Sequence, residues 1–124
     1  MKTDILIIGA GPAGIFAAYE LLNRGYKGKI LIAEKGVAIE NRACPKAKTG
    51  HCVSCKNCHI TTGFSGAGAF SDGKLSLSLE VGGELPELVG AAPVKETIEY
   101  PDGIYLTFGA EPKVEGDAMP EKVK

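Results

Sequence analysis

Two clusters in the sequence combine residue types and spacings that can do chemistry. The first is Gly9-Ala10-Gly11-Pro12-Ala13-Gly14, a Gly-x-Gly-x-x-Gly pattern set directly after Ile5-Leu6-Ile7-Ile8. Each glycine there has a mechanical reason. Gly9 permits the tight turn off a strand, Gly11 lets backbone N–H groups approach a pyrophosphate, and Gly14 lets helix and strand pack closely. The helix that follows, entered through Pro12 and Ala13, offers unpaired N–H donors and a positive dipole end to phosphate. Glu34 stands about 20 residues beyond Gly14, where a carboxylate accepts hydrogen bonds from ribose hydroxyls. The same charge repels a 2′-phosphate, which disfavours NADP. The pattern alone does not separate FAD from NAD, and a glycine-rich turn in a non-nucleotide α/β domain is the plain alternative.

The second cluster holds all four cysteines. Cys44-Pro45 precedes Cys52-x-x-Cys55-x-x-Cys58, with His51 and His59 flanking the triplet. Such spacing lets three thiolates converge on one centre, with Cys44 returning as a fourth ligand, and it is the spacing of many [4Fe–4S] sites. The usual downstream Cys-Pro is missing, since Thr62 falls in its place. Zinc held by four cysteines, or by three and a histidine, is a second reading. A redox-active thiol pair is a third, and inert loop cysteines are the fourth. The histidines read as bystanders rather than ligands.

A third stretch, Gly63-Phe64-Ser65-Gly66-Ala67-Gly68-Ala69-Phe70-Ser71-Asp72-Gly73-Lys74, is too rich in small residues for an ordinary core element. Its glycines at 66 and 68, around Ala67, let backbone amides approach a flat ligand or a phosphate. Ser71, Asp72 and Lys74 add polar handles. A solvent loop held by turns is the bland reading of the same composition.

These residues need elements to position them. Thr3 to Ile8 reads as a strand buried on both faces. Ala13 to Arg24 reads as a helix with Ile15, Ala18 and Leu22 along one face and Gly25 at its C-terminal end. Lys29 to Ala33 reads as a second strand ending at Glu34. Together they predict a βαβ unit, an α/β Rossmann-like arrangement over residues 1–35. Residues 36–75 read as cysteine-bearing and glycine-rich loops of the same domain. Residues 76–124 read as a partial continuation: a helical turn from Glu84 to Val89, then a fork. Ile98 and Tyr100 against Ile104, Leu106 and Phe108 flank Pro101-Asp102-Gly103 like a hairpin, although Asp102 equally fits the cap of a short helix. Glu111 to Lys124 reads as a polar tail. Two secure strands are fewer than a doubly wound sheet needs, so the domain reads as incomplete, with an uncovered strand edge that favours self-association and weak cofactor retention.

Composition narrows the function classes. The 124 residues are 44% hydrophobic and 23% charged, as in ordinary globular domains, with a net charge of −1 that argues against nucleic-acid partners. Trp is absent, so the core leans on Ile, Leu, Val and Ala. No apolar run is long enough to span a bilayer or serve as a signal peptide, so no membrane partner and a cytoplasmic setting are expected. Cysteines gathered in one loop fit a local metal or redox site better than a disulfide framework.

The sequence resembles the uncharacterised FAD-dependent dehydrogenases, a group within the broad NAD(P)/FAD-dependent oxidoreductases. The resemblance rests on the Gly9 to Gly14 turn, Cys44-Pro45, the Cys52/Cys55/Cys58 triplet and, above all, Thr61 through Leu75. A fingerprint at the extreme N-terminus with Pro12 in its turn is also similar to the FAD site of glutathione-reductase-like flavoproteins. The resemblance implies FAD as cofactor, with Gly66 to Lys74 near the flavin or its pyrophosphate. It further implies a longer protein whose later segments complete the domain and admit a small-molecule substrate or electron acceptor. No general acid or base is identifiable, since the flavin would carry the chemistry.

Overall fold

A computed structural model describes residues 2–71 and 73–112 as a mixed α/β chain in two compact units, Met1–Gly73 and Lys74–Lys124. Asp72 and the predicted tail from residue 113 onward lie outside the described residues.

The first unit is built on β1 (Ile5–Ile8), α1 (Pro12–Asn23) and β2 (Ile30–Ala33). Three of the four β1 residues are β-branched, which suits a pleated strand. The strands pair in parallel, Ile5 opposite Ile30 through Ile8 opposite Ala33. Asp4 and Thr3 fix where the ladder starts: the Asp4 carboxylate accepts the Lys29 N–H at 2.7 Å, and the Thr3 hydroxyl donates to the Lys29 carbonyl at 2.8 Å. Pro12 occupies the first turn of α1, where its missing N–H costs nothing. At the other end Gly25 takes a left-handed φ of +80°. Gly25 N–H then reaches Leu22 and Tyr26 N–H reaches Leu21, a Schellman closure that a β-carbon would disfavour by about 1 kcal/mol.

Burial departs from the sequence expectation. β1 is not buried on both faces: Leu6 is 53% and Ile8 77% exposed, while Ile5 and Ile7 are half-buried. The reason is coverage, since α1 lies against one side of the two-stranded sheet and no further strand flanks it among the described residues. Leu22 is likewise exposed on α1, and Ala18 is its buried position.

The stretch between β2 and the glycine-rich segment is not structureless as expected. It contains a 3-10 turn at Ile39–Asn41 and a single helical turn, α2 (Lys46–Thr49), closed by Gly50 at φ +75°. The glycine-rich segment also differs from a plain loop, for Gly66–Phe70 forms a 3-10 helix. Small side chains let consecutive tight turns stack without clashing.

The second unit holds α3 (Leu85–Val89) and α4 (Ala91–Thr107), packed against each other with Val94 buried. The hairpin around Pro101-Asp102-Gly103 is not formed, and Asp102 caps nothing: all three residues lie inside α4. Val94, Ile98 and Pro101 recur at i, i+4 and i+7, and this helical stripe outweighs the local turn signal. The cost is the i→i−4 bond that Pro101 cannot donate. No helix is long and apolar enough to cross a membrane among the described residues.

Candidate functional site

The site grows from the exit of β1. Gly9 N–H continues the ladder to the Ala33 carbonyl at 2.7 Å, and Gly9 then turns with φ +100°, a conformation that favours glycine. The turn carries the fully buried Ala10 into α1. Gly14 faces back onto the strand, and a β-carbon there would overlap the Gly9 carbonyl oxygen and press on Ile7. Gly11 is the opposite case. Its φ of −78° is ordinary and nothing stands within 4 Å of where a β-carbon would sit. The open space lies at the N-terminus of α1, which has no side-chain cap and no acidic residue in its first turn. Its leading N–H donors therefore carry the partial positive charge of an uncapped helix start.

Glu34 closes the other side of the turn. One carboxylate oxygen accepts Ala10 N–H at 2.8 Å and the other accepts Gly36 N–H at 2.8 Å. These two bonds, Ala10's first, hold the Glu34 carboxyl below its ordinary range, with smaller help from Gly63 N–H and the Lys35 charge against a burial effect of opposite sign. The carboxylate is thus kept ionised and oriented, with lone pairs left over for a further donor.

The glycine-rich segment docks on this turn. Ser65 N–H donates to the Ala10 carbonyl at 2.8 Å and Phe64 N–H to Val37 at 3.2 Å. A β-carbon on Gly66 would stand 3.3 Å from both Gly11 Cα and Pro12 Cδ. Gly36 and Gly63 meet backbone to backbone, with no room for a β-carbon on Gly36. Gly9, Gly11, Pro12, Ala13, Gly14, Glu34 and Gly66 therefore share one locale. Ala67 and Gly68 follow in the same short helix and are exposed. The Ser71 hydroxyl accepts Gly73 N–H at 3.1 Å, and the exposed Lys74 opens the second unit.

One residue that holds the locale together escapes a sequence reading. Arg42 is the buried charged side chain among the described residues, 5% exposed. Its guanidinium donates to the carbonyls of His59 (2.9 Å), Ile60 (2.7 Å), Phe64 (2.6 Å) and Gly66 (2.6 Å), and lies 4.7 Å from the Phe70 ring centroid. The sequence offers one indirect signal, glycine at 63. A β-carbon there would stand 2.8 Å from Arg42 Cδ and from the Val37 carbonyl oxygen.

The cysteines are arranged differently. All four thiols are free; Cys52 and Cys58 are exposed, Cys44 and Cys55 half-buried. Ala43 N–H donates to His59 Nδ1 at 3.3 Å, so the neighbours of Cys44 and Cys58 do meet. Yet no group of three or more His, Cys, Asp or Glu is placed to hold a metal among the described residues. In this arrangement the segment fits neither a cluster nor zinc. Cys58 is activated: hydrogen bonds from Thr61 N–H, Ile60 N–H and the Thr61 side chain, and then the Arg42 charge, lower its thiol below the ordinary range.

No protein-family model matches the chain. No solved structure matches it. Among curated proteins it is similar to an uncharacterised protein of Clostridium beijerinckii, 37% identical over 83 residues. The match covers 64% of this chain and only 15% of that relative's length.

Proposed function

We propose that the chain is the FAD-binding segment of a flavin-dependent oxidoreductase of the dehydrogenase type, with the turn at Gly9 to Gly14 as a Rossmann-like pyrophosphate site. One observation carries this reading. Open space at Gly11 lies at an uncapped helix N-terminus, with Gly66 packed against Gly11 and Pro12 and the ionised Glu34 bonded to the neighbouring Ala10 N–H. Backbone N–H groups of α1 would hold the phosphates, Glu34 would accept from ribose hydroxyls and repel a 2′-phosphate, and residues 66–68 would approach the rest of the dinucleotide. Bound FAD supplies hydride or electron transfer to a small-molecule substrate or electron acceptor. The residues here bind and orient; none is assigned a proton-transfer role. The test is a flavin titration of the chain and of its Gly11→Val variant. Saturable FAD binding that Gly11→Val removes supports the reading, and equal binding by both rejects it.

A second reading makes the cysteine segment a metal-ligated or iron–sulfur electron-transfer module. It draws on the activated Cys58 thiol and the Ala43–His59 tie, and it requires the segment to close. Iron, sulfide and zinc analysis of anaerobically purified protein tests it.

A further inference from the structure

We propose that Arg42 is the positioning residue of the dinucleotide site, holding residues 64–66 so that the Ala67 amide turns outward for an anionic ligand; this rests on the FAD reading. The argument starts from the peptide unit. No peptide bond is cis among the described residues, so each carbonyl points opposite to the N–H of the next residue. Arg42 draws the Phe64 and Gly66 carbonyls to itself at 2.6 Å each. The N–H groups of Ser65 and Ala67 must then face away from the guanidinium. For Ser65 the direction is visible, because its N–H lands on the Ala10 carbonyl in the dinucleotide turn. The Gly66 N–H is taken by the Gly63 carbonyl at 2.9 Å, which leaves the Ala67 N–H, faced away from the guanidinium in an exposed 3-10 turn that begins against Gly11 and Pro12.

Such an orientation is not one the segment adopts unaided. Ser65 is held at φ +69°, a left-handed conformation costly for a residue with a β-carbon. Four carbonyl acceptors and an aromatic face compensate it, and a guanidinium is the side chain whose planar fork can serve several carbonyls at once. Charge points the same way. No carboxylate pairs with Arg42 among the described residues, so its positive charge is solvated by dipoles but not neutralised. The locale then holds both signs, the ionised Glu34 for hydroxyl donors and the unpaired Arg42 charge for an anion, which a pyrophosphate supplies.

The experiment measures FAD and AMP affinity for the chain, Arg42→Lys and Arg42→Met, with residue-resolved hydrogen exchange of the same proteins. AMP serves as the probe that reaches Glu34 and the first phosphate position without the rest of the dinucleotide. Arg42→Lys keeps the charge but not the fork. It is expected to weaken FAD by about tenfold or more, AMP much less, and to speed exchange at Ser65. General damage to the fold would weaken both ligands alike, and that result overturns the proposal. So does FAD binding that Arg42→Lys leaves unchanged. If neither variant melts cooperatively, the unsubstituted chain decides: FAD must slow exchange at Ala67, and unchanged exchange there overturns the proposal. A chain that takes up no FAD at all rejects the dinucleotide reading, and the proposal falls with it.

Discussion

Residues 9–14 and residues 44–58 are both turns crowded with special residue types, and they reach opposite states. In the glycine turn the donors are backbone amides, placed by sterics and backbone hydrogen bonds: Gly9 must turn left-handed, Gly14 must lie on the Gly9 carbonyl, and Glu34 is pinned by Ala10. In the cysteine segment the donors are side chains on a stretch with a single helical turn, and the thiols do not converge among the described residues. A site made of backbone is finished when the chain folds. A site made of thiols has no reason to close until something attractive enters it, because bringing thiolates together without a cation is repulsive.

The largest expected break in this contrast is Gly14→Val. Its β-carbon has nowhere to go against backbone, so the variant should lose about 3 kcal/mol in denaturant unfolding, the upper end of overpacking costs. A variant as stable as the parent would mean that the turn is looser than described. Gly11→Val separates binding from folding in the same turn. With open space around it, the substitution should alter stability by about 1 kcal/mol or less, a capping-scale effect, while flavin binding is lost. Parallel loss of both would erase the distinction between the two glycines.

The cysteine side is sharpened by alkylation followed by mass spectrometry near neutral pH. Cys58, exposed and activated, should react several-fold faster than the half-buried Cys44 and Cys55. Uniform protection of all four thiols, with stoichiometric metal, would show that the segment closes after all. The smallest effect concerns Glu34. Its folded carboxyl titrates below its unfolded one, so its contribution is complete above the ordinary glutamate range and is lost as pH falls through the lowered value. Melting temperature followed between roughly pH 5 and pH 3 should therefore fall less in Glu34→Gln than in the parent. Identical profiles would mean that the bonds from Ala10 and Gly36 do not act on the ionised form.

The legible parts of this molecule were those whose causes are local. Glycine spacing after a β-branched run announced β1, the turn and α1, since tight turns and close packing constrain individual positions. The helix end at Gly25 was readable for the same reason. Other features depend on partners distant in sequence. The exposure of Leu6 and Ile8 is set by what covers β1, which its own residues do not encode. Pro101-Asp102-Gly103 reads as a turn locally, yet the apolar stripe from Val94 through Ile98 decides for helix. Arg42 is the clearest case, an unremarkable loop arginine until four carbonyls from residues 59–66 close around it.

That closure sets which lengths of chain can change. The guanidinium reads carbonyls at fixed intervals, 59 and 60 and then 64 and 66, so adding or removing one residue between Ile60 and Gly66 would present N–H groups where it requires oxygens. Between Pro45 and Cys55 no residue answers to Arg42, and loop closure grows costlier only slowly with length. Insertions should therefore be absorbed in the cysteine segment and rejected a few residues later, so that two neighbouring loops obey opposite rules of length.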